Sequence, residues 1–197
     1  MAQIKRTIKY ESDRVPGFAE EIAKAPGCEK LWDCIQCGTC SGVCPLSIYM
    51  DYSPRQIIAL TRAGFKNEVL SSFTIWLCAS CYACTVECPQ QIEITNIMYE
   101  LKQRAIQEKR YPKRFPIPVL AQEFTKMVRK NGRISEARLV TTLFLKTDPL
   151  GALGMSKLGL GLMKAGRFSL KQEQIQNRDQ LEKIMQTVEE CRSEKKS

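Results

Sequence analysis

The 197-residue chain contains no histidine. That absence excludes Rieske-type ligation and any histidine acid–base step, and it removes the possibility of a nucleophilic Cys–His pair within the chain. No two cysteines are adjacent, no phosphate loop appears, and no recognisable nucleic-acid-binding motif is present. Long uninterrupted apolar runs are missing too. Residues 149–168 are apolar but hold five glycines and two lysines. They make a poor membrane span and read better as a short packed helix or a partner-binding patch. The N-terminal M-A-Q-I-K-R-T-I-K lacks the apolar core of a secretory leader, so the expected compartment is the reducing cytoplasm.

Cysteine, by contrast, is plentiful: ten residues, eight of them in two tight runs. Residues 34–45 read C-I-Q-C-G-T-C-S-G-V-C-P and residues 78–89 read C-A-S-C-Y-A-C-T-V-E-C-P. Each cysteine of the second run lies 44 positions after its counterpart in the first. Both runs fit C-x2-C-x2-C-x3-C-P, a pattern of iron–sulfur ligands. Zinc sites instead use C-x2-C pairs separated by longer gaps. The spacing therefore predicts two [4Fe–4S] clusters, with all eight cysteines as iron ligands.

In such a run the first three cysteines wrap three corners of one cubane, and the fourth leaves in another direction to cap the other cluster. On that pattern Cys34, Cys37, Cys40 and Cys88 hold one cluster, while Cys78, Cys81, Cys84 and Cys44 hold the second. The crossing couples the two halves. Pro45 and Pro89 fix φ just after the fourth cysteine, and Gly38 and Gly42 are expected to allow close approach of the backbone to a cluster. Cys28 and Cys191 fall outside the runs and read as ordinary thiols. Trp32, Trp76 and Tyr82 flank the runs, where core packing is a more common use than shielding a cluster.

The formal net charge is +9. Four thiolates on a cubane of charge about +2 give roughly −2 per cluster, so the loaded chain carries roughly +5. The remainder suits a solvated face or an acidic partner.

Helical signals fill the rest. Residues 1–14 form a polar arm with Ile4 and Ile8 as its only aliphatic anchors, ordered against a neighbour. A short helix is expected over 16–25, starting at Pro16. Ser53 and Pro54 open another helix, which Gly64 ends. A further helix is expected over 67–77, and Thr95 is expected to cap the next, with Lys109 and Arg110 in its last turn. The two cysteine runs are thus separated by helices rather than by the short strands of a compact β-type ferredoxin. The fold class expected is all-α: an alpha-helical ferredoxin domain over 15–110 with a helical extension over 111–197. In the extension, helices are expected over 119–131, from Ser135 onward, and over 173–190. The final S-E-K-K-S is expected to be disordered.

The segment P-G-C-E-K-L-W-D-C-I-Q-C-G-T-C-S-G-V-C-P resembles the C subunit of heterodisulfide reductase. So do D-Y-S-P-R-Q-I-I-A-L, T-I-W-L-C-A-S-C-Y-A-C-T-V-E-C-P and I-M-Y-E-L-K-Q-R-A-I. The resemblance covers about residues 16–110 closely and the remainder loosely. It implies a non-catalytic electron-transfer subunit of an oxidoreductase acting on sulfur groups. The expected partners in that hetero-oligomer are a flavin- and cluster-bearing A-like subunit and a B-like subunit with Cys-Cys-Gly domains, where a disulfide is cleaved. The arm and residues 111–170 are the expected docking regions. The cysteine motif alone is shared with iron–sulfur subunits of membrane quinone-linked dehydrogenases, which is the alternative reading. A non-shuttling cluster-based redox sensor is a third, of a different class.

Overall fold

Ser53 and Pro54 start a helix, Pro54–Arg62, that packs against Phe18–Ala23, Thr39–Gly42 and Lys66–Ser71 of the cysteine-bearing half. The Ser53 amide donates to Gln56 Oε1 (2.8 Å) in a capping box, proline occupies the first helical position, and Gly64 takes φ +83° beyond the end, all as the local chemistry dictates. The computed structural model describes residues 8–111, 115–154, 156–166 and 174–194. Every regular element among them is helical, and none of these helices is long and apolar enough to cross a membrane. The chain divides into two units, residues 1–111 and 112–197.

The first unit contains α1 (Phe18–Ala23), α2 (Thr39–Gly42), α3 (Pro54–Arg62), α4 (Lys66–Ser71), α5 (Thr74–Leu77), α6 (Ala83–Val86) and α7 (Ile94–Gln107). Its core gathers Ile22, Leu31, Ile57, Leu70, Ile97 and Leu101, all without solvent exposure. Burying a side chain of this kind stabilises by about 1.5–3 kcal/mol. The α7 helix packs against α1, α4, α5 and α6, and Arg104 on it pairs with Glu100 (2.9 Å) and with Glu21 of α1.

Several boundaries differ from the sequence reading. The first helix begins at Phe18 rather than Pro16, because Gly17 takes φ +80°. The single helix expected over 67–77 is broken into α4 and α5. Ser72 is extended there, and the Asp51 carboxylate accepts from the amides of Phe73 and Thr74 (both 2.8 Å) and of Tyr52 (3.1 Å). Thr95 is not the cap of α7. It lies inside the first turn, buried, and its amide donates to Thr85 Oγ1 (3.3 Å). Lys109 and Arg110 fall past the end of α7, where Lys109 takes φ +54° and the Arg110 amide returns to the Ala105 carbonyl (2.8 Å). The described part of the N-terminal arm packs on its own unit. Lys9 pairs with Glu68 and lies over the Tyr52 and Phe65 rings (5.3 and 5.4 Å), and Arg14 Nε donates to the Ala63 carbonyl (2.7 Å). Ile4 and the rest of residues 1–7 lie outside the described residues.

Asp51 is a distant cap that holds the chain just ahead of the second cysteine run. Asp51→Ala is expected to destabilise the first unit by about 1–2 kcal/mol, with Asp51→Asn losing less. Chemical denaturation followed by circular dichroism measures both.

The second unit holds α8 (Pro116–Asn131), α9 (Glu136–Thr147), α10 (Pro149–Gly154), α11 (Ser156–Lys164) and α12 (Arg178–Glu194). Gly132 ends α8 at φ +69°, and the Ser135 hydroxyl accepts from the Arg138 amide (3.5 Å) to cap α9. The first of these helices starts three residues before the expected 119, since Pro116 and Pro118 are both tolerated in a first turn. The apolar stretch 149–168 gives two short helices. The α12 helix extends past the expected 190 through Ser193 and Glu194, and the remaining tail residues 195–197 lie outside the described set. Leu145, Leu150, Leu158 and Leu160 are each more than half exposed.

Candidate metal centres

The two cysteine runs fold alike. In each, the second residue after the first cysteine takes a left-handed conformation: Gln36 at φ +59° and Ser80 at φ +57°. The residue after the second cysteine does the same, Gly38 at φ +86° and Tyr82 at φ +63°. A four-residue helix follows, α2 in the first run and α6 in the second. These turns curl the chain so that its first three cysteines face one space.

Two pockets result, with about 380 and 440 Å³ of empty space, part of it open to solvent. The similar sizes suit two equal occupants. The first is lined by Cys34, Cys37, Cys40 and Cys88, together with Arg55 and Ile58. The second is lined by Cys78, Cys81, Cys84 and Cys44, together with Thr95 and Met98. Each pocket thus takes three cysteines from one run and the last cysteine from the other. Pro89 follows Cys88 into the first pocket and Pro45 follows Cys44 into the second.

The likeness extends beyond the cysteines, with an offset of 44 in the runs and 40 in the helices that follow them. The Arg55 amide in the first turn of α3 donates to Ser41 Oγ (3.2 Å), as the Thr95 amide in the first turn of α7 donates to Thr85 Oγ1. Arg62 on α3 donates to the Cys34 carbonyl (2.5 Å), and Lys102 on α7 donates to the Cys78 carbonyl (2.9 Å). Each run is therefore anchored at its first cysteine by one cation from one helix. Sequence reasoning missed these anchors. The signal was the hydroxyl residue after each third cysteine and the matched cation eight residues into each following helix.

The donor set fits a sulfur-ligated cofactor. Burial pushes the Cys40 thiol up to about 11 despite the Ser41 hydrogen bond, and neighbouring thiols push it the same way. Cys84 is raised by burial as well, while the Thr39 hydrogen bonds lower the exposed Cys37. Buried thiols of this kind become thiolates when a cationic metal body accepts them, and soft thiolate sets of four are the ligands of iron–sulfur clusters. Among the described residues no three Cys, Asp or Glu side chains close on a single ion.

Other sequence-derived candidates sort out differently. A Cβ on Gly42 would meet no protein atom within 4 Å, and Gly42 lines neither pocket. Trp76 is core and packs edge-on against Tyr111 (6.2 Å). Trp32 is exposed, with the Arg62 guanidinium over its ring, and Tyr82 lines the second pocket. Cys28 is buried outside both pockets, its thiol pushed up to about 12 by burial and then by Glu100, Glu29 and Glu93. Cys191 is exposed on α12.

The family model described as a 4Fe-4S dicluster domain matches residues 30–92. The chain is similar to the C subunit of the H(2):CoB-CoM heterodisulfide,ferredoxin reductase of Methanothermobacter marburgensis, 42% identical over 81 residues, which are 41% of this chain and 43% of that one. It is similar also to the C subunit of the ferredoxin:CoB-CoM heterodisulfide reductase of Methanosarcina acetivorans, 39% identical over 103 residues, 51% of this chain and 41% of that one. A third is the iron-sulfur C subunit of the CoB–CoM heterodisulfide reductase of Methanopyrus kandleri, 33% identical over 103 residues, 49% of this chain and 54% of that one. The chain spans about half the length of these relatives or less. The matched residues lie in the first unit, whose described regular elements are all helical.

Proposed function

We propose that the chain is the electron-transfer subunit of a heterodisulfide reductase-like complex, holding two [4Fe–4S] clusters. Cys34, Cys37, Cys40 and Cys88 ligate one, and Cys78, Cys81, Cys84 and Cys44 the other. The observation that carries this reading is the sharing of cysteines between the pockets, each of which combines three from one run with the last from the other. When bound, the clusters supply one-electron redox chemistry. The chain's own part is to hold the eight thiolates, to fix each loop through Arg62 or Lys102, and to keep the inner thiolates away from water.

In this reading a flavin- and cluster-bearing A-like subunit and a disulfide-cleaving, Cys-Cys-Gly-bearing B-like subunit lie on either side of the relay. The second unit suits docking. Its residues 112–197 contain 17 Lys and Arg against 9 Asp and Glu, whereas residues 1–111 are nearly balanced at 13 against 12. The basic excess therefore lies on the extension, which also exposes Leu145, Leu150, Leu158 and Leu160, and favours a partner that is acidic and in part apolar.

Purification without oxygen tests the core of the reading. Iron and acid-labile sulfide are each expected at about eight per chain, with interacting S = 1/2 signals in the EPR spectrum after reduction. Tightly bound zinc with no such signal would refute it.

A further inference from the structure

The residues that line the two pockets differ in charge at one equivalent position. With the offset of 40 that relates Arg62 to Lys102 and Ile58 to Met98, Arg55 of the first repeat corresponds to Thr95 of the second. Both line their own pocket. The Arg55 stem lies over Gly38: a Cβ on Gly38 would stand 3.6 Å from Arg55 Cδ and 3.8 Å from Nε. Thr95 is buried and neutral.

We propose that Arg55 gives the cluster framed by Cys34, Cys37, Cys40 and Cys88 the higher reduction potential of the two, which makes it the receiving end of the pair. This rests on the two-cluster reading above. Adding one electron takes a cubane with its four thiolates from about −2 to about −3, so any nearby positive charge favours the reduced form. Arg62 and Lys102 hold equivalent places and largely cancel between the pockets. Arg55 is then the surplus charge, because none of the residues lining the second pocket is charged. Hydrogen bonds to sulfur act in the same direction. Gln36 Nε2 donates to Cys34 Sγ (3.2 Å), and the Thr39 hydroxyl lies 3.4 Å from Cys37 Sγ. In the second pocket the Thr95 hydroxyl lies 3.9 Å from Cys84 Sγ. The equivalents of Gln36 and Thr39 there are Ser80 and Ala83. Leu46 replaces Gln90, so the second pocket is also the more apolar.

The test is an EPR-monitored redox titration of the anaerobically purified two-cluster protein. Two one-electron steps are expected. Arg55 is exposed, which weakens its field. Arg55→Gln is therefore expected to lower the reduced-to-oxidised ratio of the upper step by about threefold to tenfold at its former midpoint, tenfold being 59 mV for one electron. The lower step stays in place. Arg55→Lys keeps the charge and holds the upper step near its original position. Thr39→Ala installs the residue that the second repeat carries at this place, and should lower the same step by about threefold. If Arg55→Gln loads less iron, Arg55→Met, which keeps an unbranched stem over Gly38 without the charge, carries the test in its place. A lower step that moves instead, or an upper step that stays in place when the Arg55 charge is removed, overturns the proposal. A wild-type protein without about eight iron atoms fails the two-cluster reading itself, whereas eight iron atoms with an unmoved upper step fail only the assignment to Arg55.

Discussion

Cys44→Ala is expected to remove the cluster of the second cysteine run and to spare the one held by its own neighbours in sequence. Cys44 ends the first run, yet it lines the pocket of Cys78, Cys81 and Cys84, with Pro45 and Leu46 beside it. The first pocket keeps all four of its thiols, since its fourth is Cys88. A cubane with three thiolates is open at one corner and labile, so bound iron should fall from about eight to about four per chain. Cys88→Ala gives the reciprocal result. With Arg55 raising the potential of the first cluster, Cys44→Ala should also delete the lower redox step and leave the upper one in place.

Removal of iron is expected to unfold much of the first unit. Its α2, α5 and α6 helices have only four residues each and α4 six, far below the ~12–15 residues at which isolated helices become even marginal in water. These elements are held by their ends, and many of the ends are cysteine loops. Without metal, Cys40 is left as a buried thiol, 8% exposed, beside an open pocket. Metal binding in such sites is folding energy, here comparable to the whole stability of a small domain, about 5–15 kcal/mol. Anaerobic chelation with a ferrous chelator should therefore lower the helical signal at 222 nm and abolish the cooperative melt of this unit. Amides of α7, such as those of Ile97 and Leu101, should lose hydrogen-exchange protection at the same time. A melting curve unchanged by chelation would contradict a structural role for the clusters.

What could be read from the sequence was local chemistry. Ser53–Pro54 and Ser135 announce their helices because the capping groups lie within three residues of the amides they satisfy. The helical class follows from the same periodicity. The break between α4 and α5 is different in kind, since it depends on Asp51, which lies 22 residues before the Phe73 amide it accepts from. No window over 67–77 contains that carboxylate. Thr95 looked like a cap for the opposite reason: a hydroxyl residue at a helix start has a strong local use, but here the neighbouring run supplies Thr85 as its partner. The arm misled as well, because Lys9 and Arg14 find Glu68 and the Ala63 carbonyl only after the chain has folded back. The repeat was visible in its cysteines, but the change from an offset of 44 to 40 hid the matched pairs Arg62–Lys102 and Arg55–Thr95.

The crossed pair of clusters is tested most directly by counting iron in two double variants. Cys44→Ala with Cys81→Ala removes two thiols from the second pocket and none from the first, so about four iron atoms per chain should remain. Cys34→Ala with Cys44→Ala removes one thiol from each pocket and should leave almost none. The reverse outcome, iron lost from the first double variant and about half retained in the second, would mean that each run holds its own cluster and would contradict the crossing.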